Sequence, residues 1–332
     1  MSRHVHVIAE AGTNHGGNRQ TAEKLIGIAK EAGADSVKFQ IIYPEGLYLP
    51  RFFKDGTYEE NEVYKLRAAA MLSDDDYRAL GGKAKQAGIP MSASVFDPRG
   101  LDLLASLDPP YLKIASCDLN NGRLLRQAAE RGKKVIVSTG MASLGEVEQA
   151  VKIVLGTGNS DLVLMHCVSI YPCPLEKMNL GFLETLRTAF GLPIGFSDHT
   201  ESSLAASIAV SMGVDWIEKH FTYDRTAKGF DHAYAMEPAG LTQYIRDVRA
   251  ATSACERPAA KLQVDESNVK KRARRSIYAA RVIQATEQIQ ESDLLVVRPE
   301  GPLSPNEIHL VIGKPARRTI QAFEPISLDM VG

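Results

Sequence analysis

Two lysines, two histidines and a set of acids and hydroxyls recur at one kind of position in this chain, the polar end of a short apolar run. Glu10 ends VHVIA, Lys38 and Gln40 end DSVKFQ, Lys113 lies in PYLKIA with Ser116 just beyond, and Thr139 ends KVIVST. Further on, DLVLMHCV leads into Ser169 and Tyr171, PIGFS leads into Ser197-Asp198-His199-Thr200, and VDWIEKH closes on Glu218-Lys219-His220. A buried lysine is costly unless an opposite charge meets it. Lys38 and Lys113 therefore either hold an anion, with the hydroxyls of Ser116, Thr139 and Ser197 completing a phosphate site, or pair with buried carboxylates. His199 and His220 end neighbouring runs, where two neutral imidazoles suit one divalent metal with Glu10 and Asp198 nearby. Two nitrogens with carboxylate or water suit Mn2+, Co2+, Zn2+ or Mg2+; the alternative is a structural pair. Alternation along a strand groups Lys38 with Gln40, Ser197 with His199 and Glu218 with His220, and turns Lys219 the other way. His15, in Asn14-His15-Gly16-Gly17, either touches a ligand or satisfies its own loop, and His166 is expected in the core.

The elements that must position these groups follow from periodicity. Strands are expected at about 5–9, 35–40, 89–94, 110–115, 134–139, 161–168, 193–197 and 214–220. Amphipathic helices are expected at 19–32, 143–155, 179–190 and 201–212. Ser143 and Glu146 form a capping-box pattern, Thr200 or Glu201 opens the helix after the seventh strand, and Gly33 and Gly88 sit where left-handed caps are expected. Eight strands, each followed by a helix, predict a closed (β/α)8 TIM barrel with its chemistry at the C-terminal strand ends. An open doubly wound sheet would show five or six strands. Residues 41–72 are a long insertion on that face. The pattern changes near 258. Residues 259–275, with the basic run 270–275, read as a linker between a 1–258 barrel and a small, mainly β domain at 276–332. Strand-like runs in that domain are expected at 276–283, 294–298, 308–312 and 317–321.

The 332 residues are 44% hydrophobic and 24% charged, with a net charge of −1. Nothing in that balance calls for nucleic acid or an acidic membrane as partner. No apolar run reaches membrane-spanning length, and the start lacks a secretory signal, so a cytoplasmic protein is expected. Cys117, Cys167, Cys173 and Cys255 form no CxxC pair and are expected as free thiols.

The segments IAEAGTNHGG (8–17), EAGADSVKFQ (31–40), YLKIAS (111–116), VSTGMAS (137–143), HCVSIYPCP (166–174), GFSDHT (195–200), IEKHF (217–221) and GFDHAYAMEP (229–238) resemble the sialic acid synthases. RRSIYAAR, VVRPEGPLSP and VIGKPA in the tail resemble that family's antifreeze-like (SAF) domain. The resemblance implies condensation of phosphoenolpyruvate with N-acetylmannosamine or a relative, giving a nine-carbon 2-keto-3-deoxy acid and phosphate by C–O cleavage. It also implies a homodimer in which the small domain reaches the partner's barrel. Carried over by position, Lys38, Lys113, Ser116 and Ser197 bind phosphoenolpyruvate, His199 and His220 hold the metal, and Glu10 moves a proton. Gln40, Tyr171 and Asp231 face the sugar. Arg298 reaches it from the other subunit, and Lys270 or a basic neighbour approaches the phosphate. The expected metal is Mn2+, with Mg2+, Co2+ or Zn2+ as alternatives. Ser169 stands where the family commonly has Asn, and Asp118 where Glu often follows the strand-four serine. The acceptor stays open among N-acetylmannosamine, its 6-phosphate and diacetamido-dideoxy hexoses. Other readings are a 3-deoxyulosonate synthase acting on a sugar phosphate, a Schiff-base aldolase using Lys113, and a sugar- or ice-binding module without catalysis.

Overall fold

The computed structural model describes residues 4–256 and 264–332. The chain separates into two compact units, up to Glu256 and from Arg257 onward. The expected boundary at 258 lies outside the described residues.

The first unit opens with β1 (His6–Gly12), α1 (Arg19–Glu31) and β2 (Ser36–Ile41). The insertion follows as α2 (Pro44–Leu47), a hairpin of β3 (Arg51–Lys54) and β4 (Thr57–Glu60), and α3 (Glu62–Ala69). Alternation then resumes with α4 (Asp74–Ala87), β5 (Met91–Val95), α5 (Pro98–Ser106), β6 (Leu112–Ile114), α6 (Gly122–Glu130) and β7 (Val135–Ser138). The barrel is completed by α7 (Leu144–Leu155), β8 (Leu162–His166), α8 (Phe182–Phe190), β9 (Ile194–Asp198), α9 (Leu204–Ser211), β10 (Trp216–His220) and α10 (Pro238–Ala254). The eight parallel strands close in the order β1-β10-β9-β8-β7-β6-β5-β2, the expected barrel. Ser143 and Glu146 cap α7 reciprocally, and Gly33 and Gly88 adopt φ of +85° and +67° after α1 and α4. The helix after β9 begins later than expected, at Leu204. Thr200 instead accommodates the strand end, its N–H donating to Asp198 Oδ1 and its hydroxyl to the Ser202 carbonyl.

The barrel interior is layered. Ile8, Tyr111, Ile136, Val163 and Met165 form one buried cluster, with Trp216 packed against it. Two positions further along their strands stand Glu10, Lys113, Ser138, Cys167 and Glu218. Alternation makes these the next inward-facing layer, so an apolar plug carries a polar floor. The opposite strand faces (Val7, Ala9, Val37, Phe39, Ile217) join the apolar sides of the helices in the main core.

Asp35, at the mouth of β2, ties the barrel's start together. It accepts 2.6 Å bonds from Val7 N–H and from Arg249 Nη2 of α10. Burial works against its charge, but the Val7 N–H and Arg249 hold its carboxyl below the usual aspartate value. Because the folded value lies below the unfolded one, this contribution is complete above about pH 4 and is lost as pH falls through the folded value. Asp35→Asn is expected to cost about 1–3 kcal/mol at neutral pH, and to cost less in acid, measured by urea unfolding at several pH values.

The second unit contains α11 (Val264–Ala273) and an antiparallel pair, β11 (Ser276–Ala279) with β12 (Leu294–Val297). Much of the supposed linker is therefore helical. Asp265 and Glu266 in its first turn and Lys270, Lys271 and Arg272 in its last complement the helix dipole. The expected strand at 308–312 is largely a 3-10 helix, Pro305–Leu310, capped by Ser304 and Glu307. The run at 317–321 contributes only a bridge, Ile283 to Ile320. Ile277, Ile283, Ile289, Val311, Ile320 and Ile326 form this unit's own core. No helix among the described residues is long and apolar enough to cross a membrane.

Candidate active site

The C-terminal ends of the barrel strands surround a cavity of about 310 Å³, at the small end of small-molecule sites. Glu10, Lys38, Gln40, Lys113, Ser116, Ser169, Tyr171, Ser197, His199 and His220 all line it. The strand ends thus bring together ten of the expected residues.

The floor is a charge cluster. Lys38 Nζ lies 2.6 Å from Glu10 Oε2 and 3.5 Å from Glu218 Oε2, and donates to Ser94 Oγ at 2.9 Å. Lys113 Nζ donates to Ser138 Oγ at 2.7 Å and lies 3.7 Å from Glu218 Oε2. Both lysines therefore meet carboxylates and also face the cavity; the two readings of them coexist. Glu218, Ser94 and Ser138 were not singled out as site residues. Their signal was position: Ser138 and Glu218 each lie one inward step beyond an apolar residue, Ile136 and Trp216, and Ser94 lies one such step beyond Ser92. Burial disfavours the Lys38 ammonium, but Glu10 and Glu218 hold its pKa above the ordinary lysine value. Burial lowers Lys113, with Glu218 opposing. Burial raises Glu10 to about 7, against the pull of Lys38. Burial also works against the Glu218 charge, but Lys113, Lys38 and His220 bring its carboxyl below the usual range. The two carboxylates thus differ: Glu218 stays charged, while Glu10 can exchange a proton near neutrality.

His199 and His220 stand side by side on the rim, ring centroids 5.6 Å apart. His199 Nδ1 is 2.8 Å from the Val168 carbonyl, and its Nε2 lies 3.3 Å from Ser197 Oγ. Nδ1 of His220 is buried with no hydrogen-bond partner among the described residues. Burial keeps both imidazoles neutral, lowering His220 to about 4. A neutral imidazole anchored on a carbonyl is the form that binds a metal. No group of three His, Cys, Asp or Glu among the described residues is placed to hold a cation. The pair therefore fits an ion whose remaining ligands are water or substrate oxygens. Asp198, considered as a further ligand, is turned away: its Oδ2 accepts from Tyr244 and pairs with Lys219. Strand alternation accounts for this, since Ser197 and His199 face inward. Lys219 faces outward as expected, donating to the Thr200 carbonyl.

Tyr171 packs 4.2 Å from His199 and 5.1 Å from Tyr234. Asp231 accepts from Tyr234 Oη at 2.5 Å, and its Oδ2 is buried without a hydrogen bond. A Cβ on Gly12 would lie 2.6 Å from that oxygen and 3.6 Å from both Gln40 Nε2 and Glu10 Oε1. Only glycine, here at φ +55°, lets those three groups converge. Arg67 of the insertion donates to Thr13 Oγ1 at 2.8 Å and stacks 3.5 Å over Phe230, so α3 is anchored to loops of the rim.

A second close approach occurs at Gly140. Its N–H donates to Ser116 Oγ at 3.0 Å. An added Cβ would lie 2.5 Å from Ser169 Oγ and 2.9 Å from both Cys167 Sγ and Ser116 Oγ. Gly140→Ala is expected to cost about 1–3 kcal/mol in stability and to raise the KM for an anionic substrate, read by thermal unfolding and steady-state kinetics.

Other expected residues sit elsewhere. Asp118 accepts from Asn121 Nδ2 at 3.0 Å, and Thr139 donates to the Met165 carbonyl; neither lines the cavity. His15 Nδ1 accepts from Gly17 N–H, serving its own loop. His166 is packed between Phe182 and Phe196. Lys270 and Arg298 belong to the second unit. Lys270 pairs with Glu300 at 3.3 Å, while Arg298 is exposed, with no hydrogen bond or ion pair among the described residues. All four cysteines are free.

Comparison with known proteins places the chain in a family. Residues 25–259 match the NeuB family and residues 274–332 the SAF domain. The chain is 36% identical to the N,N'-diacetyllegionaminic acid synthase of Legionella pneumophila, over 92% of this chain and 89% of that protein. It is 32% identical to the human N-acetylneuraminate-9-phosphate synthase, over 98% and 92%. The crystal structure of N-acetylneuraminic acid synthetase from Leptospira borgpetersenii, in complex with citrate, superposes with a TM-score of 0.72 at 34% identity, covering 80% of this chain and 90% of that one. The chain belongs to the NeuB family, as an enzyme of the N-acetylneuraminate synthase type with a C-terminal SAF domain.

Proposed function

We propose that the protein condenses phosphoenolpyruvate with the open-chain aldehyde of a 2-acetamido or diacetamido-dideoxy hexose, releasing phosphate and a nine-carbon 2-keto-3-deoxy acid. The observation that carries this reading is the floor of the cavity. Two buried ammonium groups and the hydroxyls of Ser116 and Ser197 there face a rim of two neutral imidazoles. That floor suits a phosphate and carboxylate ligand, and the rim suits a polarised carbonyl. The relatives, named as synthases for legionaminic acid and N-acetylneuraminate 9-phosphate, support the same class.

In this mechanism C3 of the enol attacks the aldehyde carbon, and electron demand moves to C2. Water adds at C2, and the C2–O bond breaks to release phosphate. Lys38 and Lys113 hold the phosphate against Ser116 and Ser197. Glu10, near neutrality and beside Gln40, accepts the proton of the attacking water. Gln40, Tyr171 and Asp231 orient the acceptor. His199 and His220 would hold a divalent cation, Mn2+ foremost, which when bound would supply Lewis acidity toward the acceptor oxygen. A homodimer belongs to the proposal. The exposed, unpaired Arg298 would complete the partner's acceptor site, and Lys270 would leave Glu300 to approach the phosphate.

Phosphate release from phosphoenolpyruvate, assayed with N-acetylmannosamine, its 6-phosphate and a 2,4-diacetamido hexose, tests the reading. One acceptor should stimulate release strongly; no stimulation by any of the three overturns it.

A further inference from the structure

Glu218 is 4% exposed and lies between the two lysines of the floor. Its Oε1 accepts from Ser197 Oγ at 2.9 Å. Its Oε2 lies 3.5 and 3.7 Å from the two ammonium groups, beyond ordinary hydrogen-bond length, and has no hydrogen-bond partner among the described residues. Glu218 therefore balances the charge of both lysines without occupying their N–H donors. An ammonium carries three donors. Lys113 uses one on Ser138 Oγ, and Glu218 is its only carboxylate within 4 Å among the described residues. Lys38 is different, held by Glu10 at 2.6 Å and by Ser94.

A phosphate entering this floor meets donors that are free and charge that is already partly answered. Away from bulk water that opposing charge is weakly screened. We infer that Glu218 is a positioning residue that competes with bound phosphate for the Lys38 and Lys113 ammonium groups, and so sets how readily product phosphate leaves. The inference rests on the proposed function and adds to it a residue for the release step. A purely structural Glu218 would have the opposite signature: its loss would loosen the lysines and weaken phosphate binding.

The test is calorimetric titration of the full chain with inorganic phosphate and, separately, with phosphoenolpyruvate, without acceptor. Glu218→Gln keeps the shape and the acceptor for Ser197 but removes the charge. It is expected to tighten phosphate binding by about tenfold or more, to lower the KM for phosphoenolpyruvate, and to lower kcat as release slows. Glu218→Asp, its carboxylate withdrawn by one methylene, is expected to shift phosphate binding the same way by less. If Glu218→Gln does not fold, the sign of the Asp variant decides. Unchanged or weaker phosphate binding in a variant of normal thermal stability overturns the inference. Wild-type protein that binds neither ligand overturns it together with the proposed function. Wild-type protein that condenses the substrates, beside a Gln variant that binds phosphate no more tightly, overturns this inference alone.

Discussion

Lys113→Met is expected to lower kcat/KM for phosphoenolpyruvate by about a thousandfold while leaving the barrel folded. The side chain is buried, with its ammonium at the floor of the cavity. Methionine fills similar volume but offers neither charge nor donor to a phosphate. A thousandfold corresponds to about 4 kcal/mol of lost transition-state stabilisation. The fold tolerates the change because Glu218 keeps Lys38 at 3.5 Å and the Ser197 hydroxyl at 2.9 Å, so no carboxylate is stranded. Steady-state kinetics beside a thermal unfolding curve check both halves. Unchanged kcat/KM removes Lys113 from the anion site. Burial lowers this lysine's pKa, which would also suit a Schiff-base amine. Borohydride with substrate present separates the two, since an ammonium that only binds phosphate gains no mass.

His199→Ala is expected to weaken metal activation by more than about a hundredfold. His199 Nδ1 rests on the Val168 carbonyl, and that bond orients the ring toward the cavity and its neighbour His220. With the imidazole gone, one nitrogen donor remains on the rim, and the described residues hold no cluster to replace it. Activity against added Mn2+ after chelation, together with direct metal titration, measures the effect. Wild-type metal affinity in the variant would show that these histidines do not hold the ion.

Much of this site was legible because a parallel barrel writes its chemistry at strand ends. Apolar runs closing on Glu10, Lys38, Lys113, His199 and His220 were enough to bring those five to one cavity, and alternation sent Lys219 outward. The same rule, applied more strictly, excludes Asp198 and finds Glu218, Ser94 and Ser138. Ser138 and Glu218 follow inward apolar residues, Ser94 follows the inward Ser92, and each answers or anchors a lysine. Contacts between distant loops carried no local signal. Arg67 on Phe230 and Asp231 beside Gly12 depend on how the insertion and the 222–235 loop fold back. In the tail, the apolar runs at 276–283 and 294–298 hold β11 and β12, but Pro305 and the Ser304–Glu307 cap make much of the run at 308–312 a 3-10 turn. The basic run at 270–275 is largely exposed, as a linker would be, yet most of it is helical; Asp265 and Glu266, which open that helix, are its local cue.

The central claim is acceptor-dependent condensation with C–O cleavage. Phosphoenolpyruvate carrying 18O in the bridging C2–O position, followed by 31P NMR, tests it most directly. The account predicts phosphate that retains the label and forms only when the amino-sugar aldehyde is present. Phosphate released without acceptor, or released without the label, would contradict it.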